Sequence, residues 1–182
     1  DIWAILVNSK GEMIWENSFG GSGIDQARAV IKDFSGNYKI IGSSFSQDKD
    51  VSSPKGSSDI WIVTIDKFGN LINENSFGGS DFDSGMALVE SFDKSIFIIG
   101  HSRSSDIHFT YNAGENDIVL LHITAGGELI ETFSLGGDND DLGNDIIQTS
   151  KGEIVIAGET RSQSNHFSNS KGDVDIVVAM WR

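Results

Sequence analysis

The residues best suited to chemistry in this sequence are oxygen and nitrogen ligands gathered in short polar stretches. The segment GGDNDDLG, from Gly136 to Gly143, concentrates Asp138, Asp140 and Asp141. Hard carboxylate oxygens at alternate positions suit a calcium ion. The spacing of an EF-hand is missing, because its fifth position would fall on Leu142 and no glutamate stands at its twelfth. Calcium is thus the one cofactor the residues suggest, and no other is expected. A second carboxylate set, Asp25, Asp83 and Asp141, follows a Gly-Gly pair at a fixed distance. These groups could be metal ligands or acids. They could equally accept hydrogen bonds from loop N–H groups, which is the capping use of aspartate. Their return in every copy of the pattern described below favours the structural role, since a catalytic site is normally built once.

Two histidines extend the inventory. His108 and His166 occupy equivalent places in SSDIHFTY and SNHFSNS, each followed by a phenylalanine, Phe109 and Phe167. Asp50, in SQDKDVSS, stands at the same place earlier in the chain. Loops carry most binding function, so this set could line a face for a protein or a glycan. The alternative is that each ring tucks beneath its loop while the imidazole is solvated. Acids that could serve a glycosidase-like mechanism are Asp33, Glu90 and Asp145. No nucleophile elbow, phosphate-binding glycine loop or His-x-x-x-His motif is present. The four tryptophans, Trp3, Trp15, Trp61 and Trp181, fall in predicted strands and are expected to pack rather than to form a sugar platform, with solvent exposure the alternative for Trp15, whose column holds Asn73 and Glu131.

What positions these residues is a repeat. The runs DIWAILV, DIWIVTI, DIVLLHI and DIVVAMW begin at positions 1, 59, 117 and 175, a constant period of 58 with no insertion or deletion. Gly11, Gly69 and Gly127 share a column, as do Gly42, Gly100 and Gly158. In the second copy the strands are predicted at Asp59 to Asp66, Leu71 to Phe77, Gly85 to Ser91 and Ser95 to Ser102. The first is apolar at nearly every residue, as a strand buried on both faces should be. The second alternates, as a half-exposed strand does. No segment carries a helical period. Four short strands per unit of this length predict an all-β fold, a β-propeller built of four-stranded antiparallel blades.

The residues DIWIVTIDKFGNLINENSFGGSDFDSGMALVESFDKSIFIIGHSRS resemble the SBBP ("seven-bladed β-propeller") repeat. Residues 1–174 follow that pattern three times, as 1–58, 59–116 and 117–174, and residues 175–182 begin a fourth pass. Val119 departs from it where Trp3 and Trp61 stand, and Asn8 and Thr124 replace the Asp66 of the turn. The resemblance implies a large secreted or cell-surface bacterial protein, and it implies that the innermost strand of a blade follows the Gly-Gly-x-x-x-Asp segment. On that phase, complete blades span about 27–78 and 85–136, a further one runs through about 143–182, and 1–19 form a partial blade. The strands at Asp1 to Asn8 and Asp175 to Arg182 then hold the same slot. Because propellers close with roughly four to eight blades, the expectation is an incomplete ring. Further blades of a longer chain, or a second copy of this one, would complete it.

Composition narrows the partners. The 182 residues carry a net charge of −14, which repels phosphate backbones, so no nucleic-acid partner is expected. Cysteine is absent, which excludes disulfides and thiolate-held metals. No apolar run approaches the roughly 18 residues of a spanning helix, so no membrane insertion is expected. The functional expectation is a non-enzymatic binding or scaffold module outside the cell or on its surface. The alternatives are a lectin-like propeller, and a hydrolase with acids around a central channel.

Overall fold

The computed structural model describes residues 1–181, so Arg182, the last residue of the expected terminal strand, lies outside the described residues. The chain is all-β, with thirteen strands arranged in four antiparallel sheets. The first sheet pairs β1 (Ile2–Val7) with β2 (Met13–Phe19). The second runs in order through β3 (Asp25–Lys32), β4 (Tyr38–Ser44), β5 (Asp59–Ile65) and β6 (Leu71–Phe77). The third repeats this with β7 (Asp83–Glu90), β8 (Ile96–Ser102), β9 (Asp117–Ile123) and β10 (Leu129–Leu135). The last holds β11 (Asp141–Gln148), β12 (Ile154–Thr160) and β13 (Asp175–Trp181). Each four-stranded sheet therefore takes its first two strands in chain order from one repeat and its last two from the next.

Local sequence explains the strand ends. In the β5–β6 hairpin, Asp66 Oδ1 accepts the N–H groups of Phe68 (2.8 Å) and Asn70 (2.9 Å), and Gly69 follows at φ +84°, a left-handed conformation that only glycine adopts without strain. Asn8 and Thr124 accept the matching N–H groups in the other copies, from Glu12 (3.0 Å) and Glu128 (3.1 Å). The change of residue type keeps the acceptor. The first strand of the third sheet begins at Asp83, two residues before the predicted start, because Asp83 already pairs with Ser102. A bulge follows between Gly85 and Ala87, and the same irregularity recurs at Ala27/Ala29 and Gly143/Asp145.

The sheets stack face to face, which is why the middle strands lack alternation. Every residue of β5 is buried. One face of β5, with Trp61, Val63 and Ile65, packs against Ile2 of β1. Its other face, with Ile60 and Ile62, meets Val119, Leu121 and Ile123 of β9. The opposite face of β9, Ile118 and Leu120, meets Val177, Ala179 and Trp181 of β13. Burying a side chain such as Trp61 or Ile60 contributes roughly 1.5–3 kcal/mol. The outermost faces have no such cover: Trp3 is 62 % exposed where Trp61 is 0 %, and Ile176 is 86 % exposed where Ile118 is 1 %.

Candidate functional site

The candidate chemistry gathers where the Gly-Gly turn meets the return loop after the second strand of each sheet. Asp83 shows the arrangement. It is buried at the start of β7, and its Oδ2 accepts the Gly79 N–H (2.7 Å) and the Ser104 hydroxyl (2.9 Å). Its Oδ1 accepts the Ser102 hydroxyl. Asp25 takes the same three donors from Gly21 (2.9 Å), Ser46 (3.0 Å) and Ser44 (2.6 Å). Asp141 takes them from Gly137 (2.7 Å), Ser162 (2.9 Å) and Thr160. Each carboxylate ties a turn to a loop about twenty residues away in sequence, and its lone pairs are committed to that task.

A second carboxylate column stands beside the first. Asp59 and Asp117 are buried and accept backbone N–H groups, from Lys55 (2.7 Å) and Ala113 (2.9 Å) respectively. Their Oδ1 atoms are buried with no hydrogen-bond partner. A Cβ at Gly78 would collide with both Asp59 Oδ1 and Asp83 Oδ2, so glycine is required where the two side chains close on the turn. Burial pushes Asp83 up to about 6, and the neighbouring charge of Asp59 adds to the rise. Burial likewise raises Asp117 to about 6, with the charge of Asp141 adding, and it raises Asp59. The sequence offered a signal for this column, the aspartate that opens every repeat. It was missed as a partner of Asp83 because 24 residues separate the two.

The histidine set also serves the turn. The Nδ1 of His108 accepts the Gly78 N–H (3.1 Å), Asp50 Oδ2 accepts the Gly20 N–H (3.0 Å), and the Nδ1 of His166 stands 3.2 Å from Gly136 N and 3.1 Å from Gly136 O. A polar contact with the first glycine of the turn is what the column shares. Burial lowers the pKa of His108, which keeps the ring neutral with its proton on Nε2. Phe109 is 1 % exposed in the central core, and Phe167 packs against the core of the last two sheets. Phe109 therefore offers no ring to a ligand at the loop surface, whereas Phe167 is half-buried and lines an open cleft with His166.

The three aspartates expected at a calcium site point to separate tasks. Asp141 turns inward as described, Asp140 accepts the side-chain amide of Asn116 (2.6 Å), and Asp138 accepts the Ser164 hydroxyl (2.9 Å). That last bond holds the Asp138 carboxyl below its usual range. Among the described residues no group of three or more His, Cys, Asp or Glu side chains is arranged to hold a metal ion. Of the acids considered for a channel, Asp33 faces Lys39 at 3.8 Å and Glu90 accepts the Phe34 N–H of the preceding sheet at 2.5 Å, so these two line one cleft with Lys39, whereas Asp145 is exposed on β11. Compared with known proteins, the chain matches no family model, and no curated protein is significantly similar to it.

Proposed function

We propose that this chain is a non-enzymatic binding or scaffold module, a run of β-propeller blades of the SBBP type belonging to a secreted or cell-surface bacterial protein. What carries the proposal is that the repeated polar groups are spent on holding the loops: Asp25, Asp83 and Asp141 each take three internal donors, and Asp50, His108 and His166 each contact the first glycine of a turn. Catalysis asks for a unique, poised set of acid and base, whereas these carboxylates and loop acceptors recur from repeat to repeat. The four-stranded sheets stacked through Ile60, Val119 and Ile118 support the blade assignment. In this reading further blades complete the ring, and the varied loop surfaces meet a protein or glycan ligand.

A fluorogenic panel of glycosidase, esterase and peptidase substrates tests the first half of the proposal. The expected result is no turnover above the blank. Turnover that disappears in Asp145→Asn would replace the scaffold reading with a channel hydrolase. A glycan array tests the lectin alternative, which requires binding that His108→Ala and His166→Ala abolish without unfolding the protein.

A further inference from the structure

A cleft of about 200 Å³ lies between the second and third sheets, at the end where their strand hairpins turn, and Asp33, Lys39, Glu90 and Lys94 are among its lining residues. Lys39 is its unusual member. The side chain is 7 % exposed, and its Nζ reaches only distant acceptors: Thr64 Oγ1 (3.4 Å), Ala125 O (3.5 Å) and Asp33 Oδ2 (3.8 Å). A charge-assisted hydrogen bond of this type is normally about 2.7–2.9 Å long. A buried ammonium in that state lacks a close oxygen to offset its lost hydration. Both acids of the cleft also serve a turn: Asp33 Oδ1 accepts the Asn37 N–H (2.8 Å), and Glu90 Oε2 accepts the Phe34 N–H (2.5 Å).

This cluster does not recur with the repeat. One copy later, the columns of Lys39 and Thr64 hold Phe97 and His122, whose rings stack 4.1 Å apart, and Phe97 packs on the core of the last two sheets. Asp33 gives way to Ser91 and Thr149. Lys94 departs further. Its column otherwise holds Gly36 and Gly152, at φ +90° and +88°, yet Lys94 itself adopts φ +71°. A side chain is strained in that left-handed region, and glycine is not. The other non-glycine residues at such angles, among the described residues, are Lys49, Ile107 and Asn165, which form one column and so belong to the repeat. Lys94 alone breaks a column of glycines. The strain sits on a turn that adds a second cation to the cleft of Lys39, the kind of place where such strain accompanies binding.

We propose that this cleft binds the carboxylate of a small hydroxylated acid, a sugar acid in chemical class. Lys39 supplies the anchoring charge and Lys94 a second one. Ser35 and Asn37 add a hydroxyl and an amide to the lining, and Glu90 adds an acceptor, which suit the hydroxyl groups of such a ligand. The volume is below the roughly 300–1,000 Å³ of clefts that hold drug-sized molecules, and it suits a single sugar-sized unit. One carboxylate is also what the charge balance allows. Two bases and two acids line the cleft, and a polyanion would meet the net charge of −14. The site goes beyond the module reading and does not rest on it.

Titration of the isotope-labelled chain with sodium D-glucuronate, followed by NMR, reads the site directly. Saturable shifts are expected at the amides of Asn37, Lys39 and Lys94, and none with D-glucose, which lacks the carboxylate. Lys39→Met keeps an unbranched stem without the charge and should weaken binding at least about tenfold. Lys94→Gly should weaken it several-fold while the melting temperature holds or rises, because the turn loses its strained residue. A lysine kept only for the fold would do the reverse, lowering the melting temperature and leaving the affinity unchanged. The Lys94→Gly comparison stands even if Lys39→Met does not fold. A uronate-ended disaccharide that binds more tightly than the free acid would assign the ligand to a glycan, and equal or weaker binding would assign it to the free acid. No saturable shift with D-glucuronate, equal binding of D-glucose, or unchanged affinity in both variants would overturn the proposal. Cleavage of nitrophenyl β-D-glucuronide that Lys39→Met abolishes would keep the site and overturn the non-enzymatic reading instead.

Discussion

Asp83 is shielded from solvent and lies beside Asp59, whose Oδ1 is buried without a partner. Two carboxyl groups in that position cannot both ionise cheaply, and the protonated form of one is stabilised by folding. The consequence for stability has a definite sign. Asp83 and Asp117 rise from 3.8 to about 6 in the folded chain, so between those values the folded state holds protons that the unfolded state has released. Their favourable contribution is complete below the unfolded value and is lost as pH climbs through about 6. Burial lowers His101 to about 4 and lowers His108 as well, and these rings oppose the aspartates over the same range because the unfolded chain takes up their protons as pH falls. Asp59→Asn, which removes the neighbouring charge, should therefore lower melting near pH 5 relative to pH 7 when compared with the wild type. A variant whose difference between the two pH values equals that of the wild type would contradict the account. At this scale the sequence revealed which aspartates recur but not what they touch. Asp50 and His108 share a column because each presents a lone pair to a glycine N–H, a property that residue type alone conceals.

The loops between strands carry a second pairing that a single copy could not disclose. In the first two repeats the return loop supplies the acceptor: Asp48 Oδ1 takes the Ser22 N–H (2.7 Å) and Asp106 Oδ1 takes the Ser80 N–H (2.8 Å). In the third the residue types are exchanged, with Asp138 on the turn and Ser164 on the return loop: Ser164 Oγ still accepts the turn N–H, from Asp138 (3.1 Å), and its hydroxyl donates to Asp138 Oδ1 (2.9 Å). Ser164→Asp alone sets two carboxylates against each other, and Asp138→Ser alone removes the acceptor. The double variant recreates the arrangement of Ser80 and Asp106. Urea denaturation of the four proteins should give a coupling of about 0.5–3 kcal/mol. Additivity within about 0.5 kcal/mol would mean the exchange is incidental. Strand positions were readable from apolar runs and glycine columns, because alternation and turn chemistry are local. The bulges and the earlier start of β7 were not, because they are set by pairing with Ser102 and Gly100 on the adjacent strand.

Across the whole molecule, cover is graded from the centre outward. Strands β5 and β9 are enclosed on both faces, whereas β1 and β13 have one bare face and pair along one edge only. Native-state hydrogen exchange of the monomer is expected to be slowest at Ile62, Val63, Leu120 and Leu121 and faster at Ile5 and Val178. Uniform protection over all four sheets would instead indicate a covered, associated form. The 58-residue period and the assignment of strands to an all-β stack were legible from the sequence, since each copy repeats the same pattern of burial. The pairing of Asp33 with Lys39 across a hairpin was not, because the two gain meaning only when their strands are assigned a face. Strict periodicity has one more outcome, which concerns heredity rather than structure. Removing residues 59–116, or duplicating them, joins a strand slot to its own equivalent. A gene of this kind can lengthen or shorten in whole units by unequal recombination without breaking the pairing of any strand.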